Sequence, residues 1–157
     1  MEGMSAVLYN ATILRLATSI PHQARLPDPQ ATVERRSPIC GSRVTVDVTL
    51  DAEGHVAALG QEVRACALGQ ASAALMGEHA LGRSAAELAA ARDALTAFLA
   101  GARDDPGDWP GLDIFAPARP HRARHASIRL AFEAVAEAAA LAAATPPPKA
   151  QQPERTR

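Results

Sequence analysis

Aromatic residues are scarce: one Trp, one Tyr and three Phe in 157 positions. That leaves little for stacking on nucleic-acid bases. Neither sign of charge is in excess, with 16 Lys and Arg against 17 Asp and Glu, whereas a chain built to hold DNA or RNA normally carries a basic surplus. There are two cysteines, Cys40 and Cys66, too few for the disulfide framework of a small secreted domain. No apolar run reaches the roughly 18–20 residues of a membrane span, and the N-terminus lacks the charged-then-apolar layout of an export signal. These absences predict a soluble, cytoplasmic chain with neither nucleic acid nor membrane as partner, and long enough for one domain with its own core. What is abundant is alanine, roughly a quarter of the chain and far above ordinary usage. Alanine favours helix but buries little area, so the large apolar side chains should mark the elements.

Leu8, Ala11, Leu14, Leu16 and Ala17 fall near helical spacing and predict a helix from Leu8 to Ile20, ended by Pro21. A polar connector with Pro27 and Pro29 follows, then a weak strand pattern from Ala31 to Ser37. From Arg43 to Leu50 the pattern is clear. Val44, Val46, Val48 and Leu50 alternate with Thr45, Asp47 and Thr49, the period of a strand with one buried face. Asp51-Ala52-Glu53-Gly54 reads as a tight turn, and Val56 to Arg64 as the returning strand.

After Cys66 the pattern turns helical. Leu68, Ala71, Leu75 and His79 form one stripe, with Met76 beside it, until Gly82. Ser84 and Glu87 make a capping box for a helix carrying Leu88, Ala91, Leu95, Phe98 and Leu99, stopped at Gly101. Residues 104–120 form a Pro/Gly/Asp-rich loop pinned by Trp109, Leu112, Ile114 and Phe115. A last helix from about Ala126 places Ile128, Ala131, Phe132, Val135 and Leu141 on one face, up to Pro146-Pro147-Pro148. The order predicts an α+β fold, a small three-stranded antiparallel sheet with helices packed on one face. The domain spans residues 1–144, with a disordered proline-containing tail over 145–157.

The chemistry-bearing candidates sit around the hairpin. Cys40 lies on a loop, Ser37-Pro38-Ile39-Cys40-Gly41-Ser42, just before the first hairpin strand. Cys66 follows the second strand and opens a helix, whose first amides favour a thiolate. In an antiparallel pair both points lie at the same end of the sheet, so the thiols are expected to be neighbours. The alternative is that each cysteine is a small buried hydrophobe. His125, at the start of the last helix, is either a third ligand or a surface residue. Arg119, Arg122, Arg124 and Arg129 around it are either a solvated basic stretch or cations that favour thiolate and neutral imidazole.

Pro38-Ile39-Cys40-Gly41 before a hairpin, followed by Ala65-Cys66-Ala67-Leu68-Gly69-Gln70-Ala71-Ser72-Ala73 opening a helix, resembles the NifU/IscU/SufU family of iron–sulfur cluster assembly scaffolds. Tyr9-Asn10 and Arg124-His125-Ala126-Ser127-Ile128-Arg129-Leu130-Ala131 fit as well, so the resemblance runs from about Leu8 to Leu141. It implies three convergent cysteines with an aspartate or histidine, binding of iron or a [2Fe–2S] cluster with zinc possible in the same site, and a cysteine desulfurase and iron–sulfur acceptor proteins as partners. Thiolate and imidazole suit both metals.

Cys40 and Cys66 match the first two cysteines, and His125 matches the histidine that precedes the third in the IscU branch. The chain departs from the pattern where Ser42 replaces an aspartate and where Ala126 or Ser127, depending on register, stands in place of the third cysteine. The leading expectation is a non-enzymatic scaffold with Cys40, Cys66 and His125 as metal or cluster ligands. An interaction protein with a degenerate site is the second. A Cys–His nucleophile pair is the third, though no orienting residue or oxyanion site can be read.

Overall fold

The computed structural model describes residues 8–38 and 41–145. Three strands, β1 (Ala31–Arg36), β2 (Arg43–Leu50) and β3 (Val56–Arg64), form one antiparallel sheet in that order. Four α-helices flank them among the described residues: α1 (Ala11–Ala17), α2 (Ala67–His79), α3 (Ala85–Ala100) and α4 (His125–Ala144). The expected α+β architecture is the one observed. The expected tail lies, beyond Thr145, outside the described residues.

The alternation in β2 sorts the two faces of the sheet. Val44, Val46 and Val48 are buried, and across the register Val33 and Leu59 join them on the inner face. α4 lies against this face and is buried almost all round, because the sheet, α2 and α3 all pack on it. That explains the alanines. Ala131, Ala134, Ala136, Ala138, Ala139 and Ala142 are all buried, and their small side chains let helices approach closely. Phe115, Phe132, Ile128, Leu88 and Leu95 fill the remaining volume. Truncating either Phe to Ala should remove about 3–5 kcal/mol.

Several boundaries differ from the pattern-based expectation. The first helix is shorter. Asn10 starts it, accepting from the Ile13 amide at 3.0 Å, and the Thr18 and Ser19 hydroxyls take the Arg15 carbonyl at its end. These side-chain bonds compete with further helical turns. In α2 the expected stripe is replaced by burial from Leu68 through Gly77, apart from half-buried Gln70. Leu14 and Leu141, expected to face inward, are exposed. The 104–120 loop contains a 3₁₀ segment, Leu112–Ala118, and is pinned as expected by Trp109, Leu112 and Phe115.

The outer face is polar. Its centre is Asp47, whose carboxylate accepts from Arg25 (2.7 and 3.1 Å), the Leu26 amide (2.9 Å) and Thr32 Oγ1 (2.6 Å). This clasp straps the connector before β1 across the sheet. Burial pushes the Asp47 carboxyl up. Hydrogen bonds from Arg25, Thr32 and the Leu26 amide, together with the Arg25 charge, outweigh that and hold it below the ordinary value.

Candidate functional site

Arg43 and Arg64 are Cα partners in the β2–β3 register. That pairing brings Ser42, which precedes β2, beside Ala65-Cys66, which follow β3. The loop before β2 is drawn tight by Ser37 N donating to Ser42 O (2.8 Å) and Gly41 N donating to Ser37 O (3.0 Å). Gly41 takes φ +75, a left-handed conformation that a side chain would strain. Cys40 belongs to this loop in sequence and lies outside the described residues.

Cys66 is the N-cap residue of α2 and is half-buried. Its Sγ lies 3.1 Å from Ser127 Oγ. Ser127 Oγ is in turn 3.4 Å from Ser42 Oγ. Both serines are buried. The starts of β2, α2 and α4 therefore meet in a short row of thiol and hydroxyls. Ser127, one of the two residues that could stand for the third cysteine, thus touches Cys66.

The close approach of α2 to α4 depends on Gly69. A Cβ there would fall 2.6 Å from Ser127 Oγ and 2.8 Å from Ala65 Cβ. One turn on, Ser72 Oγ donates to the Ile128 carbonyl at 2.6 Å and ties the two helices together.

His125 opens α4 and is buried. Its Nε2 sits 2.9 Å from the Ala118 carbonyl and 3.0 Å from the Arg119 carbonyl. Carbonyls only accept, so a ring proton is assigned to Nε2, and Nδ1 is the nitrogen left over from these contacts. Among the described residues, no three His, Cys, Asp or Glu side chains cluster closely enough to hold a metal.

The arginines expected to surround His125 divide by role. Arg119 donates to the Phe98 carbonyl (2.7 Å) and the Arg103 carbonyl (2.9 Å) and lies over the Phe98 ring, so it latches the loop to α3. Arg129 bonds Glu133. Arg122 and Arg124 are exposed.

Spacing alone did not reveal two features. One is the Ser42–Ser127–Cys66 row. Its signal was the helical phase of α4: with Ile128 and Ala131 pointing into the core, Ser127 faces α2. The other is a row of arginines, Arg36, Arg43 and Arg64, facing one another across the three strands at this same end.

No protein-family model and no curated protein sequence matches the chain. Solved structures do match. A nitrogen-fixing NifU-like protein (N-terminal) from Brucella abortus is 37% identical, with a TM-score of 0.85, covering 91% of this chain and 99% of that one. A Fervidobacterium islandicum AW-1 protein, named as a candidate iron–sulfur cluster assembly scaffold for the SUF system, shares the fold at 18% identity. Its TM-score is 0.79, over 86% of this chain and 98% of that one. A hypothetical protein shares it at 23% identity and a TM-score of 0.75, over 86% of this chain and 98% of that one. With more than a third of its residues identical over nearly the whole of the Brucella domain, the chain belongs to the NifU/IscU/SufU family, in its NifU N-terminal-like form.

Proposed function

We propose that the protein is an iron–sulfur cluster assembly scaffold-like carrier that holds iron or a [2Fe–2S] cluster as cargo at the Cys66 tip and hands it to acceptor proteins. The observation that carries this reading is the meeting of the Cys66 thiol with Ser127 and Ser42 where β2, α2 and α4 begin. Cys40, Cys66 and His125 are the proposed ligands. A metal-binding histidine commonly donates its other ring nitrogen to a backbone carbonyl, which orients the ring. The Nε2 contacts of His125 fit that pattern and free Nδ1 for a ligand role.

Ser127 Oγ stands 3.1 Å from the thiol, where a third thiolate would complete the set. A neutral hydroxyl is a weaker, harder donor than thiolate, so cargo should be held more loosely than by three cysteines. Zinc suits the same donors. The family further supports a cysteine desulfurase as supplier, a carrier role rather than catalysis, and a cytoplasmic setting. Among the described residues no helix is long and apolar enough to cross a membrane.

Anaerobic reconstitution with iron and sulfide tests the reading. It should give a visible chromophore that disappears in Cys40→Ala and in Cys66→Ala. A colourless, iron-free product overturns it. In that case the second reading takes its place, a partner of the desulfurase or of a cluster client that binds without holding a cluster, and association with the desulfurase should then survive loss of both cysteines.

A further inference from the structure

We propose that the outer face of the sheet beside the Cys66 tip docks an acidic, helical segment of a partner protein. The register places Arg36 opposite Arg43 and Arg43 opposite Arg64. All three strands thus present an arginine on the same face, in one row, at the end that carries Ser42 and Cys66. Like charges directly opposite one another destabilise a sheet, so the fold alone does not favour this row. The next row on the same face answers it in part. Glu34 takes Arg36, and Glu62 lies 3.8 Å from both Arg64 and Arg25. Between them stands Thr45, which offers no charge, and Arg43 above it makes no hydrogen bond or ion pair among the described residues. Deeper on the face, Arg25 is committed to the Asp47 clasp.

The least answered cation is therefore Arg43, the residue next to Ser42, which shares the charge of Glu34 without a direct ion pair and is flanked by the exposed side chains of Arg36 and Arg64. The chain as a whole is slightly acidic, at net −1, so this cationic end is a local feature and attracts an acidic surface in a defined orientation. Arginine forks suit carboxylates in particular. Strands lie about 4.8 Å apart, close to the roughly 5–6 Å between side chains three or four residues apart on a helix. Alternate side chains of an extended segment are spaced more widely, at about 6.6–6.8 Å. Docking here would bring the partner against the Cys66 tip. Only that functional consequence rests on the proposed carrier role, and the binding itself does not.

The test uses the metal-free full chain and a synthetic helical peptide with glutamates at four-residue spacing, titrated at low and at physiological salt. Chemical-shift changes should centre on Arg36, Arg43, Thr45 and Arg64. Arg43→Glu should weaken binding at least tenfold, and Arg43→Gln at least threefold. Both variants should keep the wild-type fold, since Arg43 has no hydrogen bond or ion pair to lose among the described residues, only the charge of exposed Glu34 nearby. Cys66→Ala should bind within twofold of wild type whether or not cargo binding exists, which separates this inference from the carrier reading. Loss of affinity of equal size in Arg92→Glu, an exposed arginine paired with Asp93 on α3, would reduce the effect to net charge and overturn the proposal. So would shift changes confined to another surface, or tighter binding of a single-stranded oligonucleotide than of the peptide.

Discussion

At the hairpin end of the sheet, the polar groups of the turn are taken up within the chain. Asp51 accepts from the Glu53 and His55 amides at 3.0 and 2.9 Å, and Gly54 N donates to the Asp51 carbonyl. Val56 and the Gly82-Arg83 segment exchange backbone bonds, and the Ser84–Glu87 capping box closes the start of α3 beside them. At the opposite end the same strands finish in a thiol, two hydroxyls and a row of arginines only partly answered. One end is closed by its own hydrogen bonds and contributes stability. The other keeps chemistry and charge available to something outside the chain.

Substitutions at the two ends should therefore separate function from stability. The largest effect expected is in Cys66→Ala, which should abolish the reconstituted chromophore while shifting the melting temperature by only a few degrees. Asp51→Ala at the hairpin end should keep the chromophore. Next is Asp47→Ala, which removes the clasp between the ends and should destabilise the fold by about 2–4 kcal/mol in denaturant unfolding. Because the Asp47 pKa is lowered by folding, its contribution is full above the ordinary carboxylate value and is lost as pH falls through the depressed one. Wild type should lose stability below about pH 4, and Asp47→Asn should show a shallower acid slope over that range. Gly69→Ala should lower stability by about 1–3 kcal/mol through overpacking and also weaken iron binding, since the clash falls on Ser127. Smallest is Ser84→Ala, at about 1 kcal/mol for a lost cap, with cargo binding untouched.

Features with a local physical cause were legible in the sequence. The β2 alternation, the Asp51–Gly54 turn, the capping box and the left-handed Gly101 after α3 all appear where local pattern places them. What escaped was set by tertiary packing. The α2 stripe disappeared because the helix is enclosed on every side, leaving no polar face for periodicity to reveal. The first helix was over-extended because the Asn10, Thr18 and Ser19 side chains bound the backbone at its ends. At the site, antiparallel pairing puts the start of β2 and the end of β3 at one end of the sheet, as the register shows, while the expected meeting of the two thiols falls on Cys40, outside the described residues. Local spacing leaves Ala126 and Ser127 open, because a one-residue shift leaves it almost unchanged; the contact of Ser127 with Cys66 depends on how α4 is seated. The arginine row was hidden for a related reason: it exists only once all three strands are in register.

In the proposed carrier, the tip is a ligand site with the Ser127 hydroxyl where a third thiolate would stand. Competitive iron or zinc binding to Ser127→Cys, under reducing and anaerobic conditions, tests this most directly. Affinity should rise at least tenfold above wild type and fall back when Cys66→Ala is added. Unchanged affinity in Ser127→Cys, with the fold intact by melting temperature, would contradict it.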